Sequence, residues 1–287
     1  MSYVAFAWIA SIAFGFETLL AKISNKHTIT NPWLFNFLWA LLGLVYLIPI
    51  ASMNNAAMPT HWQSIITTAS VHAIFSVCYI LALSKLDVSV FSPLFNFKII
   101  FSIILGYIFL HEVLTAAQLG FIGILTIAGF AVAMDEKLRI HSFFRPGVLI
   151  LLVSTLLYAV FSVVLNRAIA ENGYWTANLW IGIVNVLAIV GTFPFFQGDI
   201  GKVKRKQLIP IFILLLAGTI GNLTSAKAYA ENVGISSAII AIPFSMIMSI
   251  GLSFVYPTLL EKNTVKVYAV RITAASIMMY SAIQLSR

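Results

Sequence analysis

Between Ser89 and Met134 the chain holds two apolar runs, Ser89 to Leu110 and Ala117 to Met134, separated by a few polar residues. Each is close to the ~20 residues that a helix needs to cross a hydrocarbon core of ~30 Å at 1.5 Å per residue. The first carries a single full charge, Lys98, and the second carries none. Lipid leaves no water for an open backbone, so apolar runs this long and unbroken are read as helices. Thr115, followed three residues on by Gln118, is a capping box that opens the second helix, and Glu112 reads as a turn residue at the membrane surface. This stretch is a helical hairpin for lipid.

The rest of the chain repeats the pattern. With 61% hydrophobic and 9% charged residues, against about 25% charged in soluble domains, a water-soluble fold would leave most of its apolar surface exposed. Hydropathy windows place ten spans near residues 3–22, 32–52, 64–84, 88–110, 117–134, 147–168, 176–196, 208–229, 234–256 and 266–284. The expected class is all-α integral membrane. Residues 3–22 lack a basic leader and a small-residue cleavage site, so they are read as a mature helix. The lone Cys78 excludes an internal disulfide.

The chain also looks duplicated. Pro243 begins a run that closes in Glu261-Lys262-Asn263-Thr264, as the run after Pro93 closes in Glu112-Val113-Leu114-Thr115, and one more apolar helix follows each. This predicts a first five-helix repeat over residues 1–134, a cytoplasmic linker over 135–146 and a second repeat over 147–287. Because five is odd, the two repeats must be inverted in the membrane, the plan of many secondary transporters. Loops after the odd-numbered spans hold thirteen Lys and Arg residues, and the opposite side holds Arg167, Lys227 and Arg287. Positive charge stays in the cytoplasm, so both termini are expected on the non-cytoplasmic side of a multi-pass protein of the cell (inner) membrane. The net charge of +8 is thereby a matter of topology, and no nucleic-acid partner is expected.

Chemistry is expected where charge enters lipid, because such a charge costs at least ~2.5–3.5 kcal/mol on insertion scales. Glu17 and Lys98 are the two residues of this kind. Three readings compete: a closed, structural ion pair; a cavity-lining pair that binds substrate charge or a proton; and a Glu17 that reaches the surface, leaving Lys98 unexplained. A carboxylate and an ammonium held apart would suit a zwitterion such as an amino acid. Ser162 is the residue that the duplication aligns with Glu17.

Polar side chains at helical spacing mark candidate cavity walls: His72, Ser76 and Tyr79; Ser89, Ser92 and Asn96; Asn222 and Ser225; Ser245, Ser249 and Ser253. Interhelical packing is the competing reading for each stripe, and a satisfied core histidine is the competing reading for His72. Pro93 and Pro243 should break or kink the fourth and ninth spans, freeing carbonyls that only a protein-lined or wet site tolerates. Matched breaks place the expected site among spans 1, 3, 4, 6, 8 and 9. No metal, nucleophile or nucleotide motif is present, so neither an enzyme, a cofactor, a metal site nor a primary pump is expected.

Phe14-Gly15 with Lys22, Ala82-Leu83, Pro93, and Leu110-x-Glu112-x-Leu114-Thr115-x-x-Gln118-x-Gly120 running into Ala128-Gly129 resemble the ten-helix EamA-like type of the drug/metabolite transporter superfamily. The second half keeps Pro243 and Glu261-x-x-Thr264, with Ala269 where the first has Gly120. Thr18-Leu19-Leu20-Ala21-Lys22-Ile23-Ser24 is also similar to the end of helix 1 in the small multidrug resistance proteins, whose essential glutamate aligns with Phe14. Glu17 therefore resembles it by type and depth and differs from it in position. The resemblance implies secondary transport of a small metabolite, an amino acid or related amine, by alternating access, with efflux the commoner direction and H+ exchange assigned to Glu17. A receptor or scaffold that merely keeps the fold is the alternative. Ten helices complete a pathway, so a monomer is expected.

Overall fold

The structure, a computed structural model, describes residues 2–86, 91, 94–95, 97–111, 114–133, 146–255 and 265–285. Every regular element among these is helical: α1 (Tyr3–His27), α2 (Pro32–Met53), α3 (Trp62–Lys85), α4 (Lys98–Leu110), α5 (Ala116–Ala133), α6 (Pro146–Asn172), α7 (Tyr174–Val190), α8 (Arg205–Glu231), α9 (Val233–Ile240), α10 (Phe244–Val255) and α11 (Val265–Leu285). One 3-10 turn (Phe193–Phe195) and one helical turn (Gln197–Ile200) link α7 to α8. Among the described residues six stretches are long and apolar enough to cross a membrane: α1, α2, α3, α6, α8 and Val233–Leu252. Shorter apolar helices include Lys98–Leu110, Ala116–Ala128, Tyr174–Val190 and Ile272–Ser281. Large side chains such as Phe16, Ile74, Tyr107 and Ile127 point outward, as lipid as solvent allows.

Two expected span bounds need correction. The fourth span was placed from residue 88 with a break or kink at Pro93; its described helix begins at Lys98, which is therefore a first-turn residue of α4. The ninth span is interrupted between Ile240 and Phe244, where Pro243 was expected to break or kink it. There Pro243 offers no N–H and its ring crowds the carbonyl four residues back, while Ile242 before it is biased away from helical backbone. The seventh span ends at Val190 rather than near residue 196. The capping box formed as expected: Thr115 N–H donates to Gln118 Oε1 (2.9 Å) and Gln118 N–H to Thr115 Oγ1 (3.2 Å). Glu112, Glu261 and the linker up to Arg145 lie outside the described residues.

Most packing joins the first half of the chain to the second. α1 lies against α8, α9 and α10; α3 against α6 and α7; α2 against α7 and α8; α4 against α6 and α9; and α5 against α11. Glycines allow the closest approaches. A Cβ on Gly15 would come 2.6 Å from Phe244 Cβ, one on Gly221 2.7 Å from the Phe14 ring, and one on Gly182 2.8 Å from Leu47.

Polar contacts tie the ends of the bundle. At one end Asn31 Nδ2 donates to Asp199 Oδ2 (2.8 Å), Gln207 Nε2 to the Thr28 carbonyl (2.8 Å), and Trp33 stacks on Phe195. At the other end of α2, Ala57 N–H donates to Thr176 Oγ1 (3.1 Å), Trp180 Nε1 to the Ala57 carbonyl (2.8 Å), and His61 N–H to Asn172 Oδ1 (2.9 Å). Loops of the two halves thus meet at both ends.

Candidate functional site

A cavity of about 250 Å³ opens between the two halves. Among the described residues Glu17 and Lys98 are the buried charged side chains, 6% and 4% exposed, and both line it.

Glu17 sits deeper than its apolar run suggests. α1 continues to His27 and not residue 22, so Glu17 lies ten residues from that end, about 15 Å at the helical rise. The extension is held by Lys22, whose Nζ donates to the carbonyls of Leu83 (3.0 Å) and Leu86 (2.7 Å) at the close of α3. A cation at a helix C-terminus meets the negative end of the helix dipole. The Trp39 indole on α2 is within hydrogen-bonding reach of the Glu17 carboxyl. Behind the carboxyl lies Gly218 of α8, where a Cβ would fall 1.9 Å from Glu17 Oε1. Beside it Thr18 Oγ1 and Tyr79 Oη share a hydrogen bond of 3.1 Å.

Lys98 is held by aromatic faces. Its Nζ lies 4.6 Å from the centroids of both Phe95 and Tyr158, the geometry of a cation–π contact. No ion pair joins it to Glu17 or to any other carboxylate among the described residues; the two ion pairs found there are Arg167–Glu171 and Lys202–Asp199. The closed structural pair is therefore not what forms. Rings connect the two charges: Trp39 contacts Tyr79 (6.4 Å), Tyr79 contacts Phe95 (5.3 Å), and Phe95 carries Lys98. Tyr158 Oη is in turn 2.9 Å from Tyr229 Oη, and Asn166 Nδ2 donates to the Tyr229 carbonyl.

Of the other expected site residues, Tyr79, His72, Asn222, Ser245 and Pro243 line the cavity. His72 Nδ1 is buried without a hydrogen-bond partner among the described residues, while the Asn185 side chain is within hydrogen-bonding reach of the imidazole. Ser162 does not reach the cavity: it is fully buried and donates to the Ala159 carbonyl of its own helix. Ser249 likewise bonds within α10, to the Met246 carbonyl. Asn96 and Pro93 lie outside the described residues, as do Ser89 and Ser92. At the Pro243 break, Ser11 Oγ donates to the Ile240 carbonyl (3.4 Å), one of the acceptors near the interruption.

The expected set of spans was too small. α2 contributes Asn36 and Trp39, and α7 contributes Asn178 and Asn185. The α7 residues were legible in principle: Asn178, Gly182 and Asn185 follow the i, i+4, i+7 rule for one helix face.

Comparison with known proteins comes to the same fold. Residues 1–134 match the model described as the EamA-like transporter family. Twenty-seven chains of solved structures match; one, described as "Crystal structure of protein", superposes with a TM-score of 0.74 over 100% of this chain and 99% of its own, at 12% identity. At that identity the likeness concerns the fold alone. No functionally curated protein matches the sequence.

Proposed function

We propose, from the premise that residues 1–134 belong to the EamA-like transporter family, a branch of the drug/metabolite transporter superfamily, that this chain is a secondary transporter of a small zwitterionic metabolite, an amino acid or a close amine relative. The observation that carries the reading is one cavity into which a buried carboxylate and a buried ammonium project without pairing. With both ionised the cavity is neutral overall. A zwitterion keeps it neutral and gives each charge a counterion, whereas a simple amine or a simple carboxylate leaves one charge unmatched. A volume of about 250 Å³ lies just below the ~300–1,000 Å³ usual for ligand pockets, which favours a small substrate.

Alternating access of two inverted five-helix repeats is supported by the packing. Exchanging the halves turns α1 on α8 into α6 on α3, and α3 on α7 into α8 on α2; α2 with α7 and α5 with α11 map onto themselves. Glu17 serves as the H+ site, because the substrate ammonium and a proton compete for the same carboxyl. That competition makes an inward proton gradient drive substrate outward, in keeping with efflux. The protein acts as a monomer in the cell membrane, its cation-rich loops in the cytoplasm and both termini outside. A receptor or scaffold would be expected to close the two charges on each other and leave no cavity between the halves, which is not the arrangement around Glu17 and Lys98.

Uptake and counterflow in proteoliposomes with labelled amino acids and amines, with and without a pH gradient, test this. Gradient-driven flux that vanishes in Glu17→Gln supports coupled transport. Flux indifferent to both gradient and mutation removes Glu17 from coupling, and no flux from folded protein removes the zwitterion reading.

A further inference from the structure

The connection from α7 to α8, residues 191–207, holds Phe193, Phe195 and Phe196, then Lys202, Lys204, Arg205 and Lys206, with Asp199 its single acid. Aromatic rings beside cations suit a bilayer interface, where a ring lies at headgroup level and a cation meets anionic lipid.

The connection is held in place by the first half of the chain. Phe196 is buried and stacks on Phe37 of α2 (5.0 Å), Trp33 stacks on Phe195 (4.6 Å), and Asn31 Nδ2 donates to the Phe195 carbonyl (3.2 Å) and to Asp199 Oδ2 (2.8 Å). Lys202 Nζ donates to Asp199 Oδ1 (2.8 Å), so the one acid is matched by one cation. Lys204, Arg205 and Lys206 are exposed and meet no carboxylate among the described residues. The backbone N–H of Lys204 donates to Gln207 Oε1 (2.8 Å) at the start of α8, a bond that does not need the lysine side chain.

The level of these cations in the bilayer follows from the helix faces. On α8 the exposed Ile209, Ile213, Leu216 and Ile220 stand at i, i+4, i+7 and i+11, a stripe turned toward acyl chains. Arg205 continues that stripe one turn earlier, about 6 Å further along the axis. On α7 the exposed Leu187 and Val190 lead in the same way to exposed Phe193, with exposed Phe195 and Ile200 following. Two lipid-facing stripes thus run into one cationic edge.

We propose that the α7–α8 connection is a docking surface for anionic phospholipid, with headgroup phosphates on Lys204, Arg205 and Lys206 and acyl chains along the Ile209 to Ile220 stripe and beside Phe193 and Phe195. A free phosphate would use the cations alone. The exposed rings, and the apolar stripes continuous with them, need chains as well, which selects lipid. This surface is on the rim of the bundle and does not depend on what the cavity carries.

Phosphatidylglycerol and phosphatidylcholine with the same chains, competing for the full-length protein in mixed micelles, provide the test, with retained lipid read by native mass spectrometry. A basic residue near an anionic surface is worth roughly fivefold. Three without a carboxylate should therefore favour phosphatidylglycerol by at least about tenfold at about 0.1 M salt. The preference should fall severalfold at about 1 M, where the screening length drops from about 10 to about 3 Å. The triple variant Lys204→Gln, Arg205→Gln, Lys206→Gln is expected to lower the ratio by at least about fivefold. Arg167→Gln with Lys227→Gln, at the opposite end of the bundle, should lower it by less than about twofold. Wild type without a preference for phosphatidylglycerol overturns the proposal, and so does an equal loss in both variants, which would make net charge the cause. Millimolar glycerol phosphate should leave the ratio unchanged; displacement of the lipid would mark a free-anion site and overturn the assignment to lipid. The salt and glycerol phosphate arms use wild type alone and decide the matter even if the triple variant fails to fold.

Discussion

Lys98→Met is expected to make the protein more stable and less active. Lys98 is 4% exposed, has no carboxylate partner among the described residues, and stands in the first turn of α4. A cation in that place costs at least ~2.5–3.5 kcal/mol on insertion scales, and the positive end of the helix dipole adds ~0.3–1 kcal/mol. Against this stand two cation–π contacts at 4.6 Å, each worth ~1–2 kcal/mol when desolvated. The balance is a net penalty of about 1 kcal/mol. Methionine has a similar unbranched reach and keeps favourable sulfur contacts to the rings, so it removes the penalty without opening a hole. For a chain of this size ~1 kcal/mol corresponds to a rise in melting midpoint of ~2–4 °C. Thermal unfolding of detergent-solubilised wild type and Lys98→Met, followed by tryptophan fluorescence, measures the first effect, and counterflow of a zwitterion measures the loss of transport. A midpoint lowered by several degrees would mean that Lys98 has a stabilising anionic partner, and the argument for a charge kept free for substrate would fall.

Gly218→Ala places a Cβ 1.9 Å from Glu17 Oε1 and 2.6 Å from its carboxyl carbon; because the neighbour is the end of a flexible side chain, the stability cost should sit near the low end of the ~1–3 kcal/mol for overpacking, while flux falls severalfold, and unchanged flux would show that the position of Glu17 does not matter. Lys22→Met removes two charged hydrogen bonds to the end of α3 and is expected to destabilise by ~2–3 kcal/mol, seen as a lower unfolding midpoint. Thr115→Ala deletes the cap of α5 and should cost ~0.5–2 kcal/mol, read in the same assay. The Lys202 ammonium, and next the Asn31 amide, hold the Asp199 carboxyl below its ordinary value. Its contribution is therefore present above the ordinary carboxylate range and is lost as pH falls through the depressed value, so wild type and Asp199→Asn should differ in melting midpoint at neutral pH and converge in acid.

What the sequence made legible is what depends on few neighbours. Thr115 and Gln118 cap α5 through bonds three residues apart, and Pro243 breaks its helix through its own ring. Glu17 and Lys98 stand out because charge in lipid is costly wherever it lies. Their relation was not legible: whether two charges pair depends on how α1 and α4 sit against the other half, which no local pattern encodes. Trp39 and Asn185 were missed for a similar reason, since a tryptophan within an apolar span and a single asparagine in one look the same whether they face a cavity, a helix or lipid. Ser162 fails for the opposite reason: alignment with Glu17 says where the residue lies in its helix, but a serine can satisfy its hydroxyl on its own Ala159 carbonyl and need not reach outward.

The separation of Glu17 from Lys98 is itself built. Opposite charges sharing a low-dielectric space attract strongly, and their side chains are long enough to move, so something must keep them apart. The rings between them do this: Tyr79 is tethered by Thr18 and packed on Phe75, Phe91 and Phe95, and Tyr158 is tethered by Tyr229. The same rings give Lys98 a face to rest on in place of a carboxylate, so the cation is tolerated without being neutralised. A ligand that bridges the two charges then gains the attraction that the aromatic wall denies them directly. This makes the hydroxyl tethers of Tyr79 and Tyr158 part of how the site stays open, although neither hydroxyl need touch what it binds.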